Sequence, residues 1–401
     1  MNAPMLSFDE AYAKLLGFVR PVREIDTVDT MVAAGRVLAV AQRSAIAQPP
    51  MDNSAMDGYA LRVADVPVAG TRLIVSQRIP AGSVGHPLAA GTAARIFTGA
   101  PVPAGADAVV MQELCEAAGD AVVINQVPRV GEAVRFAGED IRVGEEILPA
   151  GIRLTPQAVA LAASVGIAQL PVHRRVKVAL FSTGSELVMP GEALPPGGIY
   201  NSNRFMLHAL LAGLGCEIED FGIVPDDLGA TREVLRRAAQ GHDLILTSGG
   251  VSVGEEDHVK PAVEAEGSLD MWKIAMKPGK PLAYGSVHGA AFIGLPGNPV
   301  SSFVTFLMLV RPFLLATQGV AQVAAPSLTL RAEFDWPRPD KRREFLRARM
   351  TPSGGVELFV SQGSAALHST VWANGLVDIP AGAPVARGDE VRFLPYAELL
   401  H

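Results

Sequence analysis

Four apolar segments between residues 176 and 295 each run directly into a loop of small, polar or acidic residues. The segments are VKVALFS, EIEDFGIV, DLILTS and AFIGL, and stretches typical of helices lie at 201–214, 228–240, 258–266 and 298–317. This alternation predicts one parallel sheet with helices on both faces, because parallel neighbours need crossover connections. Ligands of such sheets bind beyond the carboxyl ends of the strands, so we expect the four loops to share one edge.

Three carboxylates in or near these loops predict a cation site. They belong to Glu186, Asp226 and Asp257. Repulsion between two carboxylates about 4 Å apart is worth roughly 1 to 4 kcal/mol, so a cluster of three needs a positive partner. Hard oxygen ligands without His or Cys favour Mg²⁺. The acids at 255–257 also fit a solvated helix start, and that alternative stays open.

The same loops predict an anion site. Gly249 and Gly250 allow backbone amides to approach a ligand closely, and KPGKP at 277–281 holds two lysines in a stiff turn. The helix after Asn298 has proline at its first position, so its free amides and nearby serine hydroxyls can face an anion. An ordinary capped helix is the alternative for this last segment.

Composition limits the classes of protein that fit. The chain has 401 residues, 49% of them apolar and 19% charged, which predicts a globular protein of two to four domains. Its net charge is -7 and its basic residues are scattered, so we expect no nucleic-acid partner. Cys115 and Cys216 form no disulfide framework, which favours structural thiols in a reducing compartment.

The remaining segments are not typical of targeting or membrane-spanning sequences. The N-terminal stretch has acids where a signal peptide has bases, and the most apolar segment, 303–310, is too short to cross a bilayer. We therefore expect a cytoplasmic protein that does not bind membranes.

Helical and β-like patterns alternate in larger blocks outside the central repeats. Helices are predicted at 6–20, with Ser7 as the N-cap, at 30–37, and at 155–166, where Thr155 caps and Pro156 takes the first position. Short β-like runs fill 59–148, which predicts a β-rich domain inserted into a helical one. From about residue 326 the chain is β-rich again, and a small barrel or sandwich is expected.

Several turn-rich or basic stretches have two explanations. The stretches at 49–59 and 98–107 fit local turn chemistry. Arg343, Arg347 and the loop 361–364 could reach a neighbouring cleft from the C-terminal part, although surface basic residues are usually only solvated.

Five motifs together resemble the molybdopterin molybdenumtransferases, a family similar to the C-terminal domain of gephyrin. They are DNSAMDGYA at 52–60, TGAPVPAGADAVV at 98–110, TSGGVSVGEED at 247–257, KPGKP at 277–281 and LPGNPVSS at 295–302. The motifs are long, occur in the family's order and extend over nearly the whole chain.

The resemblance implies a multidomain α/β protein with four domains. These are a discontinuous helical and linker domain at 1–45 and 141–172, an inserted β-rich domain at 46–140, a molybdopterin-binding α/β domain at 173–322, and a C-terminal β-barrel at 323–401. It also implies a homodimer whose cleft is built by both subunits.

The reaction implied by the resemblance takes molybdate and adenylylated molybdopterin, uses Mg²⁺ to hydrolyse the adenylyl phosphoanhydride, and releases AMP. Partners would include the molybdopterin adenylyltransferase and the proteins that receive the cofactor. Two other functions stay open: adenylylation of molybdopterin or another nucleotide pyrophosphate reaction on the same central fold, and a non-catalytic dimeric scaffold. The inserted and C-terminal segments argue against the first.

Motif positions in the family assign roles to individual residues. Asp57 and Thr98 would reach the site across the dimer. Glu186, Asp226 and Asp257 would bind the metal, with Asp227 the weaker candidate beside Asp226. Residues implied to contact substrates are Gly249, Gly250 and Ser252 at the pterin phosphate, Lys277, Lys280 and Ser301 at molybdate, and Pro296, Pro299, Arg347 and Ser364 around them. Ser185 stands where relatives often have an acid, which removes one expected carboxylate.

Overall fold

The computed structural model describes residues 5–251 and 258–400. The first helix, α1 (Phe8–Gly17), begins with a capping box. Ser7 Oγ accepts a hydrogen bond from the Glu10 N–H at 3.2 Å, and Glu10 Oε2 accepts one from the Ser7 N–H at 2.8 Å. These bonds satisfy amides that the first turn leaves without partners, and they confirm the predicted cap.

The predicted helix at 30–37 is wrong. Thr30–Val32 forms only a 3-10 turn, and Gly35 then adopts a φ of +79°. The Gly35 N–H donates to the Leu154 carbonyl at 2.8 Å, so the chain pairs with a distant segment where a helix would continue. Long-range pairing has overridden a weak local propensity.

The inserted part is a β-structure with its own core. It is preceded by β1 (Ile25–Asp29) and β2 (Gln42–Arg43) and contains β3 (Asn53–Ser54), β4 (Gly58–Leu61), β5 (Thr71–Ile79), β6 (Thr92–Ile96), β7 (Ala108–Met111), β8 (Cys115–Ala118), β9 (Ala121–Ile124) and β10 (Val134–Arg135). Six strands form one sheet in the order β7-β4-β6-β5-β9-β8. Leu61, Val110 and Val122 are buried in its core, which confirms a β-rich insertion.

The chain returns from the insertion beside the point where it left. The returning elements are β11 (Glu146–Leu148), α2 (Pro156–Ser164) and β12 (Gln169–His173), and β11 pairs with β2 while β12 pairs with β1. Thr155 Oγ1 accepts from the Ala158 N–H at 3.2 Å, so the predicted cap of α2 is confirmed.

The central part is a six-stranded sheet between two layers of helices. Its elements are β13 (Lys177–Thr183), β14 (Leu187–Val188), β15 (Ile199–Tyr200), α3 (Ser202–Gly213), β16 (Glu217–Val224), α4 (Leu228–Ala239), β17 (Leu244–Ser248), α5 (Val259–Glu266), β18 (Gly267–Lys273), β19 (Met276–Lys277), β20 (Pro281–Val287) and β21 (Ala290–Leu295). The sheet order is β16-β13-β17-β21-β20-β18. The four predicted strands are parallel, but β20 and β18 add antiparallel neighbours. The sheet is therefore mixed.

Alternation along β13 explains why helices cover both faces. Val178 and Leu180 are buried in the core that contains residues of α3, whereas Ala179 and Phe181 are buried in the core that contains residues of α4 and α5. Successive side chains of a strand point to opposite faces, so a continuous apolar run needs cover on both sides.

One long apolar helix completes the central core. It consists of α6 (Pro299–Thr305), a π-helical turn (Phe306–Val310) and α7 (Arg311–Thr317). In the described part of the chain this is the one helix long and apolar enough to cross a membrane, but 89% of its most apolar stretch is buried inside the protein. It is a core helix, and it is longer than the apolar run at 303–310 suggested.

The C-terminal part is a closed barrel that is attached to the central part. Its elements are β22 (Leu328–Ala332), β23 (Arg343–Met350), β24 (Gly355–Leu358), α8 (His368–Trp372), β25 (Gly375–Ile379), β26 (Glu390–Pro395) and α9 (Tyr396–Leu399). The order β23-β24-β22-β26-β25 closes because β25 also pairs with β23. In addition, β19 pairs in parallel with β23, so the barrel holds one segment of the central part directly.

Candidate active site

A cleft of about 1080 Å³ opens at the carboxyl ends of β13, β16, β17 and β21. All four predicted loops contribute to it. Of the predicted site residues, those that line it are Glu186, Asp226, Gly249, Gly250, Lys277, Lys280, Pro296, Pro299, Ser301 and Ser364. Ser252 and Asp257 lie outside the described residues.

The glycine loop after β17 is shaped by contacts that exclude side chains. Gly249 and Gly250 have φ values of +91° and +65°. A Cβ atom on Gly249 would lie 2.7 Å from the Thr183 carbonyl oxygen, and one on Gly250 would overlap the Val259 side chain. Only glycine fits both positions without displacing its neighbours, and the backbone is thereby exposed to the cleft.

The acidic part of the cleft has one carboxylate held in place by the loop after β13. The backbone N–H and the hydroxyl of Ser185 donate to Asp226 Oδ2 at 2.8 and 2.7 Å. Asp226 Oδ1 accepts no hydrogen bond from a described residue. Asp227 has a different function, since its Oδ1 caps α4 by accepting from the Ala230 N–H at 2.7 Å.

These carboxylates fit a hard cation, although the described residues alone do not complete a site. Glu186 and Asp226 supply the oxygen atoms that Mg²⁺ prefers. No group of three or more His, Cys, Asp or Glu side chains within 5–251 and 258–400 is placed to hold a metal ion. Asp257, the third predicted ligand, lies between these ranges.

The two lysines of the KPGKP loop differ in their surroundings. Lys277 Nζ lies 3.0 Å from Glu344 Oε1 and 3.5 Å from Asp340 Oδ2. Lys280 is exposed, and no carboxylate oxygen of the described chain lies within 4 Å of its ammonium. Within the described residues, the positive charge of Lys280 therefore has no carboxylate partner.

The start of α6 brings further donors to the cleft. Pro299 occupies its first position and has no N–H, and the Ser302 N–H donates to the Asn298 carbonyl at 2.9 Å, so the Ser301 N–H is left without a partner in the described structure. The Val300 N–H donates to the Ser364 carbonyl at 3.1 Å, which fixes the C-terminal loop against the helix start.

Arg347 supports this loop from behind and is not among the residues that line the cleft. Its side chain is fully buried. Its Nε donates to Ser369 Oγ at 3.0 Å and its Nη2 donates to the Gly363 carbonyl at 3.1 Å. Burial lowers the pKa of the guanidinium to about 10. This placement differs from the predicted direct contact with substrate, because β23 buries Leu346 and Ala348 in the barrel core and directs Arg347 to the opposite face, under the loop that contains Gly363.

Arg342 is a cleft residue that the sequence reasoning missed. Its guanidinium donates to both oxygens of Asp340 at 3.0 and 2.8 Å, and this pairing holds the pKa of Asp340 well below its usual range. The run Lys341-Arg342-Arg343 indicated a concentration of positive charge, but the sequence did not indicate which of these side chains faces the cleft. Arg343 faces elsewhere and pairs with Asp378 at 2.7 Å.

Two asparagines at the start of α3 were also missed. Asn201 and Asn203 line the cleft and are 2% and 8% exposed. Asn203 Nδ2 donates to the Gly297 carbonyl at 2.7 Å, but its Oδ1 and the Asn201 Nδ2 have no hydrogen-bond partner in the described structure. Buried polar atoms without partners cost about 1 to 3 kcal/mol, so these amides are suited to bind a polar ligand. The polar Asn-Ser-Asn sequence at 201–203 was the feature from which these cleft residues could have been predicted.

Asp57 and Thr98 form a separate pair on the inserted part. The Thr98 N–H and hydroxyl donate to Asp57 Oδ1 at 2.8 and 2.7 Å, and the backbone bond is the larger cause of the lowered pKa of Asp57. Neither residue lines the cleft of the same chain as far as the described residues define it.

The cysteines are not placed for thiolate chemistry. Burial raises the pKa of the Cys115 thiol to about 11 and that of Cys216 to about 12. Both are free thiols, as the sequence predicted.

Three family models match the chain in succession. The one described as MoeA N-terminal region (domain I and II) matches residues 6–166, the one described as Probable molybdopterin binding domain matches 179–316, and the one described as MoeA C-terminal region (domain IV) matches 329–396. Fold and cleft thus define the class: a multidomain protein built around a molybdopterin-binding α/β domain.

Full-length relatives narrow the assignment. A molybdopterin molybdenumtransferase of Haemophilus influenzae is 36% identical and the match covers 99% of this chain and 100% of the relative, while molybdopterin molybdenumtransferase 2 of Mycobacterium tuberculosis is 38% identical over 95% and 96%. The crystal structure of a molybdopterin biosynthesis MoeA protein from Pyrococcus horikoshii matches with a TM-score of 0.86 at 30% identity, over 98% of this chain and 100% of that one. The chain belongs to the molybdopterin molybdenumtransferase family.

Proposed function

We propose that this chain inserts molybdenum from molybdate into adenylylated molybdopterin, with Mg²⁺-dependent hydrolysis of the adenylyl phosphoanhydride and release of AMP. The observation that carries the proposal is one cleft lined by carboxylates, by two lysines and by a glycine loop, at the carboxyl ends of parallel strands. The names of the full-length relatives support the transfer of molybdenum to molybdopterin.

The carboxylates serve the hydrolytic half of the reaction. Glu186 and Asp226 would hold Mg²⁺ together with Asp257. When bound, the ion would neutralise charge on the phosphoanhydride as a water adds across it and AMP leaves. Ser185 keeps Asp226 oriented by occupying Oδ2, which leaves Oδ1 available to a ligand.

The cationic loop and the helix start serve the molybdate half. Lys277, Lys280 and Ser301 would hold the dianion, with the Ser301 N–H at the start of α6 as a further donor. Exchange of one molybdate oxygen for the two dithiolene sulfurs takes up the two thiol protons and releases one water. The lysines compensate the two negative charges that remain on the product.

The pterin and its phosphate would lie along the glycine loop. Gly249 and Gly250 let the backbone approach the phosphate, and Ser252 continues the loop. The free amide atoms of Asn201 and Asn203 are suited to polar edges of the same substrate. Pro296, Pro299 and Ser364 shape the wall beside it.

The proposal includes a homodimer in which Asp57 and Thr98 of one chain complete the cleft of the other. It predicts complementation between two inactive variants. A mixture of Asp57→Ala and Asp226→Ala chains, unfolded and refolded together, should recover about a quarter of wild-type activity, because half the dimers are mixed and each mixed dimer has one intact site. Recovery below a few per cent would contradict a shared site.

We also propose a cytoplasmic location, supply of substrate by a molybdopterin adenylyltransferase, and transfer of product to cofactor-carrying enzymes. The direct test of the function supplies adenylylated molybdopterin to the pure full-length chain. AMP should appear only when molybdate and Mg²⁺ are both present, and dithiolene-bound molybdenum should form in equal amount. Absence of AMP under these conditions would refute the proposed reaction.

A further inference from the structure

A buried carboxylate of the C-terminal barrel lies directly behind a cleft lysine. Glu344 is fully buried on β23, and its Oε1 lies 3.0 Å from Lys277 Nζ. Lys277 itself remains 39% exposed and lines the cleft. The ion pair therefore joins the interior of the barrel to the surface on which substrates would bind.

The position of Glu344 is fixed from three sides. Its Oε2 accepts hydrogen bonds from Trp336 Nε1 at 2.9 Å and from the Asp340 N–H at 2.8 Å. Its backbone is held by the parallel pairing of β19 with β23, in which Lys277 is the register partner of Glu344. Oε2 thus has two donors, whereas the buried Oε1 accepts no hydrogen bond from a described residue and has the Lys277 ammonium as its ion-pair partner.

We propose that Glu344 is a positioning residue, which holds the Lys277 ammonium at the cleft wall and so makes the C-terminal barrel part of the molybdate site. The part of this inference that concerns molybdate rests on the proposed function. Glu344 does not touch the anion; it acts through the lysine.

Two explanations of the role of Glu344 predict opposite effects on molybdate binding when its negative charge is removed. An acid close to an anion site repels the anion, so Glu344→Gln should tighten molybdate binding if only charge matters. If Glu344 positions Lys277, the same change should weaken binding. An amide has one acceptor oxygen, so glutamine cannot satisfy both the ammonium and the donors of Trp336 and Asp340.

The kinetic test compares Glu344→Gln with Glu357→Gln. Glu357 pairs with Arg349 at 2.7 Å on the neighbouring strand, lies outside the cleft lining and provides the same chemical change. We expect the KM for molybdate to rise about tenfold in Glu344→Gln, which corresponds to about 1.4 kcal/mol for loss of the ion pair that holds Lys277, with kcat of AMP release changed less than twofold. Glu344→Asp keeps both acceptor oxygens and should lie between wild type and Glu344→Gln. An unchanged or lower KM would overturn the proposal.

Two further measurements separate positioning from general damage. In the double variant Lys277→Ala, Glu344→Gln, the KM should equal that of Lys277→Ala alone; an additional tenfold rise would mean that Glu344 acts by another route. Acetic anhydride labelling followed by mass spectrometry should modify Lys277 more slowly than Lys280 in the wild type and at least fivefold faster in Glu344→Gln.

The labelling result stands without any assay of turnover. If AMP release fails in the wild type but labelling changes as expected, the proposed reaction is wrong and the positioning contact is correct. If AMP release occurs but Lys277 labelling is the same in wild type, Glu344→Asp and Glu344→Gln, the positioning role is wrong and the proposed reaction remains.

Discussion

The charge of Lys280 in the cleft allows a quantitative prediction about anion affinity. Lys280 is exposed in the cleft lining without a carboxylate near its ammonium in the described chain. At the dielectric constant of water, two unit charges about 4 Å apart interact with about 1 kcal/mol, so a lysine and a dianion gain about 2 kcal/mol. Lys280→Ala should therefore raise the Kd for molybdate roughly 30-fold.

Equilibrium dialysis with molybdate at low ionic strength would measure this change. Lys260→Ala is the matched control, since Lys260 is an exposed lysine on α5 outside the cleft lining. Its Kd should stay within about twofold of wild type, because at that distance salt and water screen the charge. The difference between the two variants should shrink in about 1 M salt. Equal Kd values for both variants at low salt would refute the reasoning.

Other predictions concern the acidic loop, the glycine loop and stability in acid. Asp226→Asn should abolish AMP release with an unchanged melting temperature, whereas Asp227→Ala should keep AMP release and lose about 1 kcal/mol of stability with the cap of α4; the opposite pattern would show that the roles are exchanged. Gly249→Ala should cost about 1 to 2 kcal/mol from its backbone conformation alone and weaken pterin binding, and unaltered denaturation and binding would rule this out. The pKa of Glu266 is lowered to about 2, first by its hydrogen bonds with Arg236 and then by those with Arg232. This carboxylate therefore stabilises the fold above about pH 4.5, and the contribution is lost as the pH falls towards 2. Urea unfolding between pH 7 and 3 should show a flatter pH dependence in Glu266→Gln than in wild type, and parallel curves would argue against the prediction.

The residues at the ends of the central strands show which parts of the site local sequence patterns can predict. Apolar runs and turn residues are properties of neighbouring positions, and they predicted β13, β16, β17 and β21 with their parallel pairing. The rule for parallel sheets then predicted that Glu186 and Asp226 share one edge, and both line the cleft. The helix predicted at 30–37 was wrong because hydrogen bonds with residues 152–154, far away in the sequence, determine the conformation of that segment.

The amino-acid sequence by itself determined which loops would carry charge, where helices would begin, and which family the chain resembles. Only the tertiary structure decided that Lys277, unlike Lys280, pairs with a carboxylate of the described chain, and that Arg342, not Arg347, lines the cleft. Both outcomes depend on the register of β19 against β23, which joins segments more than 60 positions apart. A strand's own pattern cannot reveal that register, because the partner sets which side chains meet.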